Sequence, residues 1–326
     1  MTPETLKRRE LLIALTAAAA AAAALPAQAQ VDRPVRFVLP NAAGSGVDAI
    51  TRSAQQALGK ALGHPIVVDN QPGAGGIVGL QQLARSAPDN YTLAVVSNNV
   101  VIFPSLYKKL PFEMPGDFTP IAVVGSTPVV LVVNAKVPAN NSKELVALLK
   151  AHGDTMNYAS SGNGTILHLA CELFLEAAGV HARHVPYKGV GPMLTDLIGG
   201  QVQFAAAALP SVQGHIKSGA LKVIGVASAK RVAAAPDIPT FVEQGLPGYI
   251  VDAWFAVIGP KGLSAAQVQE DHQAVVAAFT DPAVAEAMAK QGNVIDVQSP
   301  EHSLAFFRSE LARYAAVTKK AGIELQ

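Results

Sequence analysis

A glycine-rich loop near the start of the chain carries residue types that suit the binding of an anion. Residues 41–48 (NAAGSGVD) lie between an apolar, strand-like run and a segment with helical spacing. The first N–H groups of a helix lack intrahelical acceptors, and the helix dipole adds about half a positive charge there. Gly44 and Gly46 would let an anion approach this backbone closely. The pattern predicts one side of an anion site, although a glycine turn that only redirects the chain would look the same.

Two further glycine loops follow the same plan. Residues 70–76 (NQPGAGG) and 157–165 (NYASSGNGT) each contain or follow a short strand-like run and precede a helical pattern. We call the segments 41–48, 70–76 and 161–165 the first, second and third glycine loops. In open α/β sheets, ligands bind at the carboxyl ends of strands. Because the third loop opens the second half of the chain, we expect two opposed loops around one ligand.

Alternating strand and helix patterns predict two α/β domains. Apolar residues recur at spacings of three and four after the first and third glycine loops, and Gly63 and Gly179 stand where those helices should end. A β-branched run at 121–133, broken at 126–128, and an apolar run at 253–258 predict two crossings between the domains. We assign residues 30–128 plus 253–326 to domain 1 and residues 129–252 to domain 2. Cap residues near 264, 281 and 299 predict helices in the C-terminal part.

The N-terminal segment has the composition of an export signal. Three basic residues at 7–9 precede an apolar run with eight consecutive alanines, and Ala27-Gln28-Ala29 is a small-residue cleavage site. The arginine pair at 8–9 loosely matches a twin-arginine signal, so either export route fits. A membrane anchor fits less well, because the run is shorter than the ~20 residues of a spanning helix. We expect residues 1–29 to be a signal peptide and the mature chain to be periplasmic.

Several classes of function lack their sequence signals. The net charge of +1 gives no basic field for nucleic acid. Eight histidines show no pair at metal-ligand spacing, and no G-x-S-x-G nucleophile motif occurs. The one cysteine, Cys171, lies in a helical pattern and is expected to be a buried apolar residue rather than a reactive thiol. We predict no catalytic residues, no metal and no cofactor.

Several strings, in order over residues 35–322, resemble the Bug proteins, the TctC-like solute receptors of tripartite tricarboxylate transporters. They include NQPGAGG, APDNYTL, LYKKLPF, NYASSGNGT, HVPYKG, LTDLIGGQVQF, PDIPTFVEQGLPGY and AWFAVIGP. The resemblance implies a type II periplasmic-binding-protein fold with two α/β domains, two crossover segments and a ligand cleft between them. It also implies hinge closure, a small organic carboxylate as ligand, and the membrane subunits of such a transporter as partners. We expect a monomer.

The resemblance also implies which residues bind the ligand, mainly through backbone N–H groups of the opposed loops. The expected ligand-binding residues are Ala43, Gly44, Ser45, Gly75, Ser97, Ser161, Gly162, Asn163, Thr165, Tyr187 and Ala207. Valine at Gly162 is expected to abolish binding and leave the fold intact; if this glycine only provides positive φ, the change would instead lower stability.

One departure from the family pattern bears on the ligand. The family often carries an acidic or polar residue before the L-P-S string, where this chain has four alanines at 205–208. A buried ammonium group would lack a counter-charge there, and an unpaired buried charge is costly. We therefore expect a mono-, di- or tricarboxylate without an amino group.

Three questions stay open at the level of sequence. Backbone dipoles could recognise the carboxylate alone, or Lys188 could contribute a point charge. The receptor could deliver its ligand to a transporter, or it could be the ligand-binding component of a signalling system. An exported enzyme on the same fold is a weaker alternative, because catalytic motifs are lacking.

Overall fold

Strands and helices alternate through most of the computed structural model, which describes residues 33–320 apart from the side chains of residues 252 and 320. The signal peptide expected at residues 1–29 lies outside this range. Within it, no helix is both long and apolar enough to cross a membrane. The strands are β1 (Val35–Leu39), β2 (Ile66–Asn70), β3 (Thr92–Ser97), β4 (Phe118–Asn134), β5 (Asn157–Ser160), β6 (Arg183–Pro186), β7 (Phe204–Ala208), β8 (Leu221–Val226), β9 (Asp252–Pro260) and β10 (Val294–Ile295).

The described strands join in one sheet. Its order is β2-β1-β3-β9-β4-β7-β5-β6, and β8 and β10 both pair with β4. Strands β1, β2 and β3 are parallel to one another, as are β5, β6 and β7. Three consecutive residues of β1, Phe37, Val38 and Leu39, are fully buried. Burial on both faces explains why such strands appear in the sequence as continuous apolar runs.

Strand β4 links the two halves of the sheet. Residues 118–128 pair with β9, and residues 129–134 pair with β7 and β8. The strand runs unbroken through 126–128, so the predicted interruption there is wrong. The pairing partner changes at that point instead, next to Pro128, which has no N–H to donate to a neighbouring strand. We call β1–β3, β9 and β10 with their helices the first lobe, and β5–β8 with theirs the second lobe.

The helices begin and end largely where the sequence predicted. Gly63 and Gly179 adopt left-handed conformations, with φ of 71° and 61°, directly after the two helices they were expected to end. Ser264 and Gln267 form both bonds of a capping box, and Asp281 caps the following helix. The helices are α1 (Gly46–Leu62), α2 (Ile77–Ala84), α3 (Asn99–Ile102), α4 (Ser142–His152), α5 (Ile166–Ala178), α6 (Val190–Gly199), α7 (Leu209–Lys217), α8 (Ala265–Phe279), α9 (Pro282–Lys290) and α10 (Pro300–Lys320).

The loops of interest leave the sheet at the carboxyl ends of parallel strands. Strand β1 leads into the first glycine loop and β2 into the second, while β3 leads into α3. In the second lobe, β5 leads into the third glycine loop and α5. This arrangement places helix N-termini from both lobes where open α/β sheets bind ligands.

Candidate functional site

The first glycine loop is organised around the carboxylate of Asp48. Ser45 caps α1 by accepting a hydrogen bond from the N–H of Asp48 at 3.2 Å. The Asp48 carboxylate, which is 5 % exposed, accepts the N–H of Gly44 at 3.0 Å. The Gly44 N–H, expected to meet a ligand, is therefore already bonded within the loop.

Arg52 and Asn70 complete this network. Arg52 donates through Nε to Asp48 Oδ1 at 2.9 Å and through Nη2 to Asn70 Oδ1 at 2.9 Å. The Asn70 amide in turn donates to the carbonyl of Asn41 at 3.1 Å and to Asp48 Oδ1 at 3.0 Å. The carboxyl end of β2 thus holds the first loop in place. The arginine nearest to this loop is paired within the first lobe.

The third glycine loop is held by hydroxyl groups. Thr165, which is buried, caps α5 by accepting the N–H of His168 at 3.3 Å, and its hydroxyl donates to the carbonyl of Gly162 at 2.9 Å. The Ser161 hydroxyl donates to Thr165 Oγ1 at 3.2 Å. The N–H of Gly162 bonds Ser160 Oγ at 3.2 Å. Gly162 has a φ of 139°, a conformation that residues with a side chain rarely adopt.

Two stacked histidines lie directly behind this loop. The rings of His168 and His184 are 4.0 Å apart between centroids and inclined by 9°, and Tyr158 stacks on His184 at 4.8 Å. His168 Nδ1 accepts the N–H of Gly164 at 3.1 Å, and His184 Nε2 lies 2.7 Å from Ser160 Oγ. Both imidazoles therefore support the loop backbone.

Burial keeps both imidazoles neutral near neutral pH. It lowers the pKa of His168 to about 4, even though the Glu172 carboxylate lies 3.8 Å away. Burial and the neighbouring His168 lower the pKa of His184 to about 3. The Tyr158 hydroxyl donates to Glu172, and burial raises its pKa. Cys171 is fully buried, as predicted, and burial raises its pKa; its sulfur accepts the N–H of Ala206.

The glycine loops of the two lobes are in contact. A Cβ atom placed on Gly162 would lie 3.4 Å from Gly75 Cα, and one placed on Gly75 would lie 3.4 Å from the carbonyl oxygen of Asn163. Two side chains of the first lobe also bond the second lobe. Asn99 Oδ1 accepts the N–H of Ile166 at 2.8 Å, and the Tyr107 hydroxyl donates to the Asn163 carbonyl at 3.4 Å.

A cavity of about 20 Å³ lies between these loops. Residues of both lobes line it: Pro40, Asn41, Ala42, Pro72, Gly73, Gly75, Asn99, Ser161, Lys188, Gly189 and Val190. A second cavity of about 10 Å³ lies beside it in the first lobe and shares Pro40, Asn41, Gly75 and Asn99 with it. The described residues that line the two cavities include no acidic side chain. Among all described residues, no group of three or more His, Cys, Asp or Glu side chains is placed to hold a metal ion.

The expected ligand-binding residues fall into three groups in this structure. Gly75 and Ser161 line the larger cavity, and Ser97 lines the smaller one. Ala43 and Gly44 are exposed outside both cavities. The remaining six line neither cavity: Ser45, Gly162, Asn163, Thr165, Tyr187 and Ala207.

Tyr187 and Ala207 lie outside the glycine loops. The Tyr187 hydroxyl donates to Asp196 at 2.7 Å; burial, and then Asp196, raise its pKa to about 12. Ala207 is fully buried in β7 and pairs with Val130. The alanine run at 205–208 is therefore mostly a buried strand.

Sequence reasoning missed three residues that build this site. Asp48 lies four residues before Arg52 on α1, a spacing that could have indicated their ion pair. Asn70 ends β2 and Asn99 follows β3, each next to a glycine loop. Their hydrogen-bond partners are distant in the chain. Their roles depend on which strands are neighbours.

Comparison with known proteins agrees with this architecture. Residues 50–323 match the family model TctC, described as the tripartite tricarboxylate transporter family receptor. The chain is 34 % identical to Protein BugT of Bordetella pertussis over 296 residues, 90 % of this chain and 91 % of that protein. The structure of the periplasmic binding protein BugD has a TM-score of 0.87 and 35 % identity, covering 90 % of this chain and 99 % of that one.

A structure of R. palustris Rpa4515 with adipate also has a TM-score of 0.87, with 28 % identity over 91 % of this chain and 100 % of that one. These matches confirm the expected type II periplasmic-binding-protein fold. The chain therefore belongs to the TctC family, the receptors of tripartite tricarboxylate transporters, which are periplasmic solute-binding proteins.

Proposed function

We propose that this protein is an exported receptor that captures a small organic carboxylate between its two lobes. It delivers the ligand to the membrane subunits of a tripartite tricarboxylate-type transporter. The observation that carries this proposal is the cavity between the second and third glycine loops, which residues of both lobes line. The N-terminus of α2 adjoins the second loop and that of α5 adjoins the third, and helix N-termini favour negative charge.

Capture requires the lobes to separate and close. A cavity of about 20 Å³ holds about one water molecule, because one water needs roughly 10–15 Å³. A carboxylate ligand is larger, so the loops in contact here must move apart to admit it. Strands β4 and β9 are the connections that would bend, and they support a domain division at residues 128–129 and 252–253.

The composition of the cavity wall favours a carboxylate without an ammonium group. Among the described residues that line it, Lys188, which is exposed, is the one charged side chain, and none is acidic. The buried alanines of β7 supply no counter-charge either. The adipate bound by Rpa4515 is a dicarboxylate without an amino group, which supports the same class of ligand for this chain.

A thermal-shift and calorimetry screen of the mature chain tests this proposal. Acetate, adipate and citrate represent mono-, di- and tricarboxylates, and aspartate carries the added ammonium group. A ligand present at ~100 times its dissociation constant adds about 2.7 kcal/mol to the folded state. We expect at least one of the first three to raise the melting temperature, and aspartate to raise it less. If none of the carboxylates binds, the proposed function is wrong; if one is converted to product, the protein is an enzyme.

A further inference from the structure

Asn99 occupies the point where the two lobes and both cavities meet. It follows β3 in the first lobe and is 8 % exposed. It lines the larger cavity between the lobes and the smaller cavity beside it. Asn99 therefore faces any ligand held between the glycine loops and also bonds the opposite lobe.

The neighbours of Asn99 fix the orientation of its amide. The N–H of Ile166, at the start of α5, requires an acceptor, and it bonds Asn99 Oδ1 at 2.8 Å. The carbonyl oxygen of Gly75 requires a donor, and it lies 3.5 Å from Asn99 Nδ2. The amide oxygen thus points to the second lobe, and the NH₂ group points to Gly75, which lines both cavities.

The two ends of this amide are unequally satisfied. The oxygen has a short bond to a backbone N–H at the positive end of a helix dipole. The NH₂ group has two hydrogens to donate, and its contact with Gly75 is at the outer limit of a hydrogen bond. A carboxylate oxygen is a stronger acceptor than a backbone carbonyl, because bonds to ionised groups are shorter and stronger.

We propose that Asn99 hydrogen-bonds the carboxylate of the ligand and couples this binding to closure of the lobes. Its NH₂ group donates to the carboxylate, while its oxygen holds the N-terminus of α5. A ligand bonded to Asn99 is thereby fixed to the first lobe and, through the same side chain, to the second. This inference rests on the proposed function and adds to it a side chain that touches the ligand.

The variant Asn99→Asp separates this role from a structural one. It keeps an oxygen to accept the Ile166 N–H and replaces the NH₂ group with a second, charged oxygen that repels a carboxylate. We expect its affinity for the tightest binder among acetate, adipate and citrate to fall about a hundredfold or more, since a charge-assisted bond is replaced by repulsion. The variant should still close around the cleft, because the bond to α5 remains.

Two comparison variants complete the test. Asn99→Leu removes both bonds and should weaken binding about tenfold or more, with a larger radius of gyration in X-ray scattering. Asn141→Asp makes the same change of charge at the half-buried cap of α4 and should bind within about twofold of wild type, because charges at a distance are screened.

The outcomes distinguish this inference from the proposed function. If Asn99→Asp binds the carboxylate within about threefold of wild type while Asn99→Leu binds poorly, Asn99 only positions α5 and the inference is overturned. If both variants bind as wild type does, Asn99 has neither role and the receptor function stands. If wild type binds none of the three carboxylates, the proposed function itself fails.

Discussion

Gly46 and Ala208 face each other across the two lobes with no space for another methyl group. A Cβ atom added to Gly46, the first residue of α1, would lie 2.8 Å from the Cβ of Ala208 at the end of β7. Real carbon atoms at such positions do not approach this closely without displacement. The closed arrangement of the lobes therefore depends on a glycine at position 46.

Replacing Gly46 with alanine should weaken ligand binding without harming the fold. Gly46 begins a helix, where alanine is well tolerated. Overpacking costs about 1–3 kcal/mol, and here it affects only the conformation in which the lobes touch. We expect the affinity for the carboxylate to fall between about five- and 150-fold. Isothermal titration measures the affinity, and thermal melts without ligand should match wild type.

Gly214→Ala is the matched control for this variant. Gly214 lies within α7, and a Cβ atom placed there meets no heavy atom within 4 Å. We expect it to bind as wild type does. Scattering at a saturating carboxylate concentration should give a larger radius of gyration for Gly46→Ala than for the control. Equal radii and equal affinities would mean that Gly46 and Ala208 do not meet in the bound state.

The helices of the site could be predicted from the sequence because their signals are local. The spacing of Val47, Ile50 and Ala54 defines the buried face of α1, and a glycine in a left-handed conformation ends it. The third glycine loop and α5 repeat this pattern. Such signals depend on residues within one or two helical turns, so they do not depend on the rest of the chain.

The contacts that shape the site could not be predicted, because they join distant segments. Asn70 bonds the first glycine loop because β1 and β2 are neighbours. The histidine stack forms because β5 and β6 pair with Tyr158 opposite His184. His168 reaches the same stack from α5. Strand register determines all of these contacts, and periodicity alone does not specify register.

The structure also changes the expectation for Gly162. Its φ of 139° would be strained with any side chain, and an added Cβ would lie 3.4 Å from Gly75 and from the Tyr187 carbonyl. Valine there is expected to lower stability as well as binding, since such backbone strain costs about 1–3 kcal/mol. The expectation that the fold would stay intact is not supported by this geometry. A substitution at Gly46 separates an effect on binding from an effect on stability better than one at Gly162.

Removing the charge of Lys188 should have a modest effect. Lys188 is exposed and lines the cavity, and the field of an exposed charge is weakened by solvent and salt. We expect Lys188→Met to lower carboxylate affinity by less than about tenfold, or ~1.4 kcal/mol. Calorimetric titrations at two salt concentrations should show little change in salt dependence relative to wild type. A hundredfold loss would mean that a formal cation is required for recognition.

The histidine stack should make the fold sensitive to acid. The pKa of His168 is lowered from 6.5 to about 4 by burial. A lowered pKa means that this contribution to stability is fully present above pH 6.5 and is lost as the pH falls from 6.5 toward 4. At pH 5, the linkage of His168 alone lowers the free energy of unfolding by about 2 kcal/mol relative to neutral pH. His184, with a pKa of about 3, adds to it in the same direction.

His168→Gln tests this linkage. The glutamine amide does not titrate and can accept the Gly164 N–H that His168 accepts. Urea unfolding at pH 7.5 and pH 5 should show a smaller loss of stability for the variant than for wild type, by about 2 kcal/mol. If the two proteins lose stability equally, folding does not lower the pKa of His168.

A buried carboxyl group in the first lobe should have the opposite effect on the pH dependence of stability. Asp271 on α8 is 1 % exposed, and neither of its carboxylate oxygens has a hydrogen-bond partner among the described residues. Burial, and then Glu270, raise its pKa from 3.8 to about 7. Because the folded state holds the proton more tightly, this stability is fully present below about pH 3.8 and is lost as the pH rises through 7.

Asp271→Asn should therefore stabilise the protein at alkaline pH. The amide has nearly the same shape and carries no charge, so burying it costs less than burying a carboxylate. Between pH 5 and pH 8 the linkage of Asp271 removes about 2–3 kcal/mol from wild type, and urea unfolding of the variant should lack this loss. Glu270→Gln is the control: it changes an exposed neighbour and should keep most of the wild-type pH dependence. A variant less stable than wild type at pH 8 would mean that the Asp271 carboxylate has a favourable partner when ionised.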